Sequence, residues 1–88
     1  MDHKVLTYRT VIKKDGKYYH GFVPSLPGCH TQGDTIEETK KNLREAIEGY
    51  IQSLVKHDEP IPVDDGYEST ETVYLKNLPK GFKLASYA

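Results

Sequence analysis

Nucleophilic catalysis is the first chemistry the residue types suggest: Cys29, the chain's single cysteine, is followed by His30, and His3, His20 and His57 complete the set of histidines. A thiolate nucleophile needs an imidazole within reach of its sulfur. On a strand the side chains of residues 29 and 30 point to opposite faces, so His30 cannot serve Cys29, and only His20 or His57 could be brought to it by the fold. A cysteine packed as a small hydrophobe beside a turn is the plainer reading. Metal binding has no better support, because Cys29 and the histidines show none of the paired spacings that preorganise zinc. The sequence therefore predicts no catalytic residue, no metal site and no cofactor.

Eighty-eight residues make one domain with a modest core, and 36% apolar residues with seven tyrosines and two phenylalanines make that core tyrosine-rich. Twelve Lys and Arg against thirteen Asp and Glu leave a formal charge of −1, a poor electrostatic footprint for holding nucleic acid unaided. One cysteine cannot form an internal disulfide, and no apolar run suits a signal peptide or a membrane span, so the reading is cytoplasmic with no membrane contact.

These residues are positioned by a short series of elements, within one domain over residues 1–88. Three strands are expected in 4–33. From Lys4 to Lys14, Leu6, Tyr8 and Ile12 alternate with Val5 and Val11, and Asp15-Gly16 then supplies a hairpin turn before the aromatic run Lys17–Val23. Pro27 and Gly28 suit the second and third positions of a type II turn, reversing the chain into a short third strand, Cys29–Gln32, that ends at Gly33.

A helix over 35–57 follows. Asp34 and Thr35 are both candidate caps, with Glu37 and Glu38 three residues on from each as a capping box requires. Ile36, Leu43, Ala46, Ile47, Tyr50, Ile51, Leu54 and Val55 then recur at helical spacing. Pro60 and Pro62 are expected to stop the helix near His57. Residues 58–69 form an acidic connector: between Asp58 and Leu75 there are six carboxylates and no lysine or arginine. Alternation predicts a fourth strand over 70–77, with 78–88 as a tail. The fold class is thus α+β: an antiparallel sheet of three to four strands with one long helix on one face, in the order β-β-β-α-β.

That order is similar to part of a ribonuclease H-like sheet, whose two-metal chemistry needs carboxylates converging at the ends of the central strands. The first strand, Val5 to Ile12, has no acid, and Glu37, Glu38, Glu45 and Glu48 read as cap and solvated helix face. Nuclease activity is not expected.

The run GFVPSLPGCHTQGDTIEET, followed by AIEGYIQSLVKHDEPIP, strongly resembles the HicB-like antitoxin family. The shared features are an aromatic strand, the Val-Pro-x-Leu-Pro-Gly-Cys corner, the Gly-Asp-Thr helix start and a terminal Pro-x-Pro, covering about Tyr18 to Pro62. The resemblance implies a partial ribonuclease H-like fold without catalytic carboxylates. It also implies an antitoxin that binds and occludes a small, basic ribonuclease toxin of the HicA type. Pro27, Gly28 and Cys29 would form a structural corner, and Tyr19, His20, Phe22, Pro24 and Leu26 the partner-binding set. Many family members carry a C-terminal helix-turn-helix or ribbon-helix-helix module, for which the dozen residues after the expected fourth strand leave no room. The alternatives are a stand-alone RNA-associated or regulatory binding module and a hydrolase using Cys29 or a histidine.

Self-association is also expected, as a homodimer or higher oligomer. One helix covers one face of a sheet whose first two strands carry apolar residues on both faces, and an uncovered face of that kind exceeds what soluble monomers usually expose. The tail, with Leu78, Phe82, Leu84 and Tyr87, is the alternative cover.

Overall fold

A computed structural model describes residues 5–85 of the chain. Lys4, His3 and Tyr87, which enter the expectations above, lie outside the described residues. The elements run β1 (Val11–Asp15), β2 (Tyr18–Phe22), β3 (His30–Gly33) and α1 (Ile36–Lys56), with the strands antiparallel in the order β1-β2-β3. This is the α+β arrangement of three antiparallel strands and one long helix.

Asp15 pairs with Tyr18, so the two-residue turn between β1 and β2 is Gly16-Lys17, one residue beyond the expected Asp15-Gly16, and Gly16 takes the positive φ of +62° that its first position demands. The strand expected from Lys4 is a ladder only from Val11. Extending the register Val11↔Phe22 and Ile12↔Gly21 would set Arg9 opposite Pro24, which has no N–H to give, and the Val23 N–H instead donates to Cys29 O at 3.1 Å. β1 loses its partner there, although Leu6, Tyr8 and Thr10 keep the parity of Ile12 and line the helix side.

The register sorts the sheet into two faces. Ile12, Gly21 and Thr31 form one cross-strand row and Lys14, Tyr19 and Gly33 another, both toward α1. Two glycines allow close approach: a β carbon on Gly21 would lie 2.7 Å from Leu43 Cδ1, and one on Gly33 2.7 Å from Thr39 Oγ1. Thr39 is fully buried there, its hydroxyl donating to Thr35 O at 2.7 Å. The core is small, with Val23, Leu26, Cys29 and Leu43 at its centre and Tyr8, Ile12, Ala46, Ile47 and Tyr50 packed around it.

Both ends of α1 are capped. Thr35 is the N-cap, its Oγ1 accepting from Glu38 N–H at 3.0 Å, while Asp34 lies one residue before it, exposed. The C-terminus closes in a Schellman motif rather than at the prolines. Glu59 N–H donates to Leu54 O at 2.9 Å, Asp58 N–H to Val55 O at 3.2 Å, and Asp58 takes the left-handed φ of +56°.

The fourth strand expected over 70–77 is not formed. Among the described residues the only backbone hydrogen bond within 67–85 is Phe82 N–H to Pro79 O at 3.3 Å, so the segment has no neighbouring edge to make it a strand. It extends away from the body instead: the radius of gyration is 17.7 Å, against about 12 Å for a compact chain of this length.

Candidate functional site

The sheet face turned away from α1 carries two cross-strand rows, Val11–Phe22–His30 and Lys13–His20–Gln32. At its centre the His20 ring lies 5.5 Å from that of His30 and 6.4 Å from that of Phe22, so a single aromatic patch spans β2 and β3. Phe22 and His20 are half-buried and His30 is exposed. No described element covers this patch, and a shallow cleft of about 370 Å³ opens between it and the β2–β3 corner.

The corner is built by the turn chemistry of Leu26–Cys29. Cys29 N–H donates to Leu26 O at 3.0 Å, Gly28 holds φ +82°, and Leu26 N–H donates to Val23 O at 3.0 Å. Tyr50 O–H donates to Pro27 O at 2.9 Å, tying the corner to α1. Three of the corner's side chains point inward and make the core, while Pro24, Pro27 and Gly28 stay exposed.

The five residues expected to meet a partner are therefore divided. His20 and Phe22 lie together on the open face, and Pro24 stands exposed at its rim. Tyr19 belongs to the opposite row, toward the helix. Leu26 is 0% exposed and cannot touch a partner at all. Alternation along β2 separates Tyr19 from His20 in the sequence itself, and His30 follows from its register with Phe22, which only the paired strands reveal.

Cys29 is 5% exposed, and burial pushes its thiol pKa up, away from the thiolate a nucleophile requires. Among the described residues no group of three or more His, Cys, Asp and Glu side chains is placed to hold a metal ion. The face is thus equipped for contact: aromatic rings, a lysine, an amide and two imidazoles on one side of the sheet.

A second feature escapes sequence reasoning. The connector is docked at Tyr8–Arg9: Tyr8 O–H donates to Pro62 O at 2.5 Å, and Asp64, its side chain 3% exposed, accepts from Arg9 N–H at 2.7 Å, Arg9 Nε at 3.1 Å and Gly66 N–H at 3.0 Å. These bonds, those with Arg9 foremost, hold the Asp64 carboxyl well below the usual carboxylate range and raise the Arg9 guanidinium pKa. Nothing in the even acidity of residues 58–71 singles out Asp64. Beside this staple lies an open groove of about 290 Å³ between Leu6–Thr10 and α1, with Leu43 and Ile47 as its floor and Lys40 and Arg44 on its rim.

Comparison with known proteins adds four findings. Residues 8–74 match the model of the HicB_like antitoxin of bacterial toxin-antitoxin systems. The chain is 50% identical over 66 residues to a UPF0150 protein of Thermoplasma acidophilum, covering 74% of this chain and 96% of the relative. It is 47% identical over 64 residues to a UPF0150 protein of Synechocystis, covering 70% and 80% respectively. Among solved structures, the N-terminal domain of the Burkholderia pseudomallei antitoxin HicB superposes with a TM-score of 0.55 at 37% identity, over 69% of each chain.

Proposed function

The chain belongs to the HicB-like antitoxin family of bacterial toxin-antitoxin systems, and from that premise we propose that it binds and neutralises a small, basic, HicA-type ribonuclease toxin through the open face of its sheet. The observation that carries this reading is the aromatic patch of Phe22, His20 and His30, left uncovered on a rigid three-stranded platform. An aromatic anchor ringed by polar groups is the composition that concentrates binding energy at protein interfaces. The exposed acids of the connector, Asp65 and Glu68, add the charge that attracts a basic partner. In this reading the protein is not an enzyme. It acts in the cytoplasm, and the β1-β2-β3-α1 order is the remnant of a ribonuclease H-like fold without its catalytic acids. We read it further as a homo-oligomer, since one helix leaves much apolar surface exposed.

The test is inhibition of a purified HicA-type toxin encoded beside this gene. The wild-type chain is expected to suppress RNA cleavage stoichiometrically, and Phe22→Ala with His20→Ala to weaken binding at least about tenfold while leaving the circular dichroism unchanged. Full RNA cleavage in the presence of excess folded wild-type chain would overturn the reading.

A further inference from the structure

We propose that the extended segment Thr70–Asn77 is an exchange arm, which lies in the groove between Leu6–Thr10 and α1 of a second copy of this chain while the second copy's arm fills the first groove. The inference deepens the homo-oligomer reading above and rests on it, by naming the residues that would join the copies.

Four observations converge. The segment has the alternation of a strand, with Glu71, Val73 and Leu75 on one side and Thr72, Tyr74 and Lys76 on the other, yet no backbone partner within the chain. Val73 is 73% exposed, Tyr74 86% and Leu75 60%, so the arm carries apolar surface that nothing of its own domain covers. The groove offers the matching surface: Leu6 and Ile47 for Val73 and Leu75, and the Lys40 and Arg44 cations for Glu71. Glu48 stands among the groove's side chains as its single acid.

Geometry favours a second copy over the arm's own groove. The connector is fastened at Tyr8–Arg9 by Asp64 and Pro62, on the very stretch that lines the groove, so the arm departs from the groove's edge and runs outward. Filling its own groove would require the chain to double back. Two copies related by a two-fold axis that brings their groove edges together need only Tyr67–Thr70 as the crossover, a span of about 13 Å when extended. Closed symmetric exchange of this kind satisfies both arms with one interface.

Charge exchange gives the test. Arg44→Glu and Glu71→Arg are substitutions at exposed positions, and each alone places like charges in both grooves of a homodimer. Sedimentation equilibrium is expected to show the wild-type chain at a multiple of 10.0 kDa and each variant with its dissociation constant raised at least about tenfold. An equimolar mixture of the two variants is expected to recover wild-type association, because the arm of each then meets an opposite charge in the groove of the other. Recovery in the mixture can arise only across copies. A strictly monomeric wild-type chain would overturn both the oligomer reading and the arm. Oligomers that ignore both substitutions, or that weaken but show no recovery on mixing, would overturn the arm alone and leave the oligomer reading standing.

Discussion

Gly33 and Gly28 fail for different reasons when given a side chain, and the difference is measurable. At Gly33 a β carbon would stand 2.7 Å from Thr39 Oγ1 and 2.9 Å from the Thr39 backbone nitrogen, so the helix itself must retreat. Gly33→Ala is expected to cost about 1–3 kcal/mol through overpacking, read as a lower denaturation midpoint at unchanged slope. Gly28 has open space around it but a φ of +82°, so Gly28→Val is expected to cost more than about 1 kcal/mol from backbone strain. The need for Gly28 is legible in the Pro27-Gly28 pair, because a turn is written locally. The need for Gly33 is not: it arises where α1 presses Thr39 onto the sheet, and no neighbour in sequence announces that contact.

Asp58 ends the helix where Pro60 and Pro62 were expected to do so. The boundary was legible to within a residue, but its mechanism was not, since a left-handed aspartate leaves the same trace as any acidic loop residue. An anion at the carbonyl end of a helix opposes the macrodipole, and a left-handed φ disfavours any β carbon. Asp58→Gly is therefore expected to raise stability by about 1 kcal/mol, seen as a higher thermal midpoint. The connector's docking carries a pH dependence. Asp64 binds its proton less readily when docked than when free, so protonation favours release. Docking is complete above the free carboxylate's value, near pH 4, and is lost progressively as pH falls below it. The Tyr8 ring resonances are expected to move toward free-tyrosine positions over that acid range, and Asp64→Asn to place them there already at pH 7. The missing fourth strand shows the limit of alternation as a signal: Val73 and Leu75 have the pattern of a strand, but pattern cannot supply the edge to which a strand bonds.

The molecule as a whole is a compact body with an extended arm, 62 Å in its longest dimension. Hydrogen exchange can separate the two: amides of β2 and α1 are expected to stay protected at every protein concentration, and those of Val73–Leu75 to gain protection only as concentration rises. Protection of Val73–Leu75 that does not change on dilution would place the arm on its own domain. The single long helix was legible because it follows from periodicity, whereas the route of the arm depends on four hydrogen bonds at Tyr8–Arg9 that join residues more than fifty apart. A last feature concerns what the sheet refuses. The outer edge of β1 is unpaired by any described strand, and an edge left open invites endless lateral stacking. Lys13 stands at the middle of β1 with Lys14 beside it. Antiparallel stacking of two β1 edges about that midpoint would set Lys13 against Lys13 and Lys14 against Ile12. The hairpin thereby guards against fibre growth by its own kind, while leaving the edge open to a strand that brings acids.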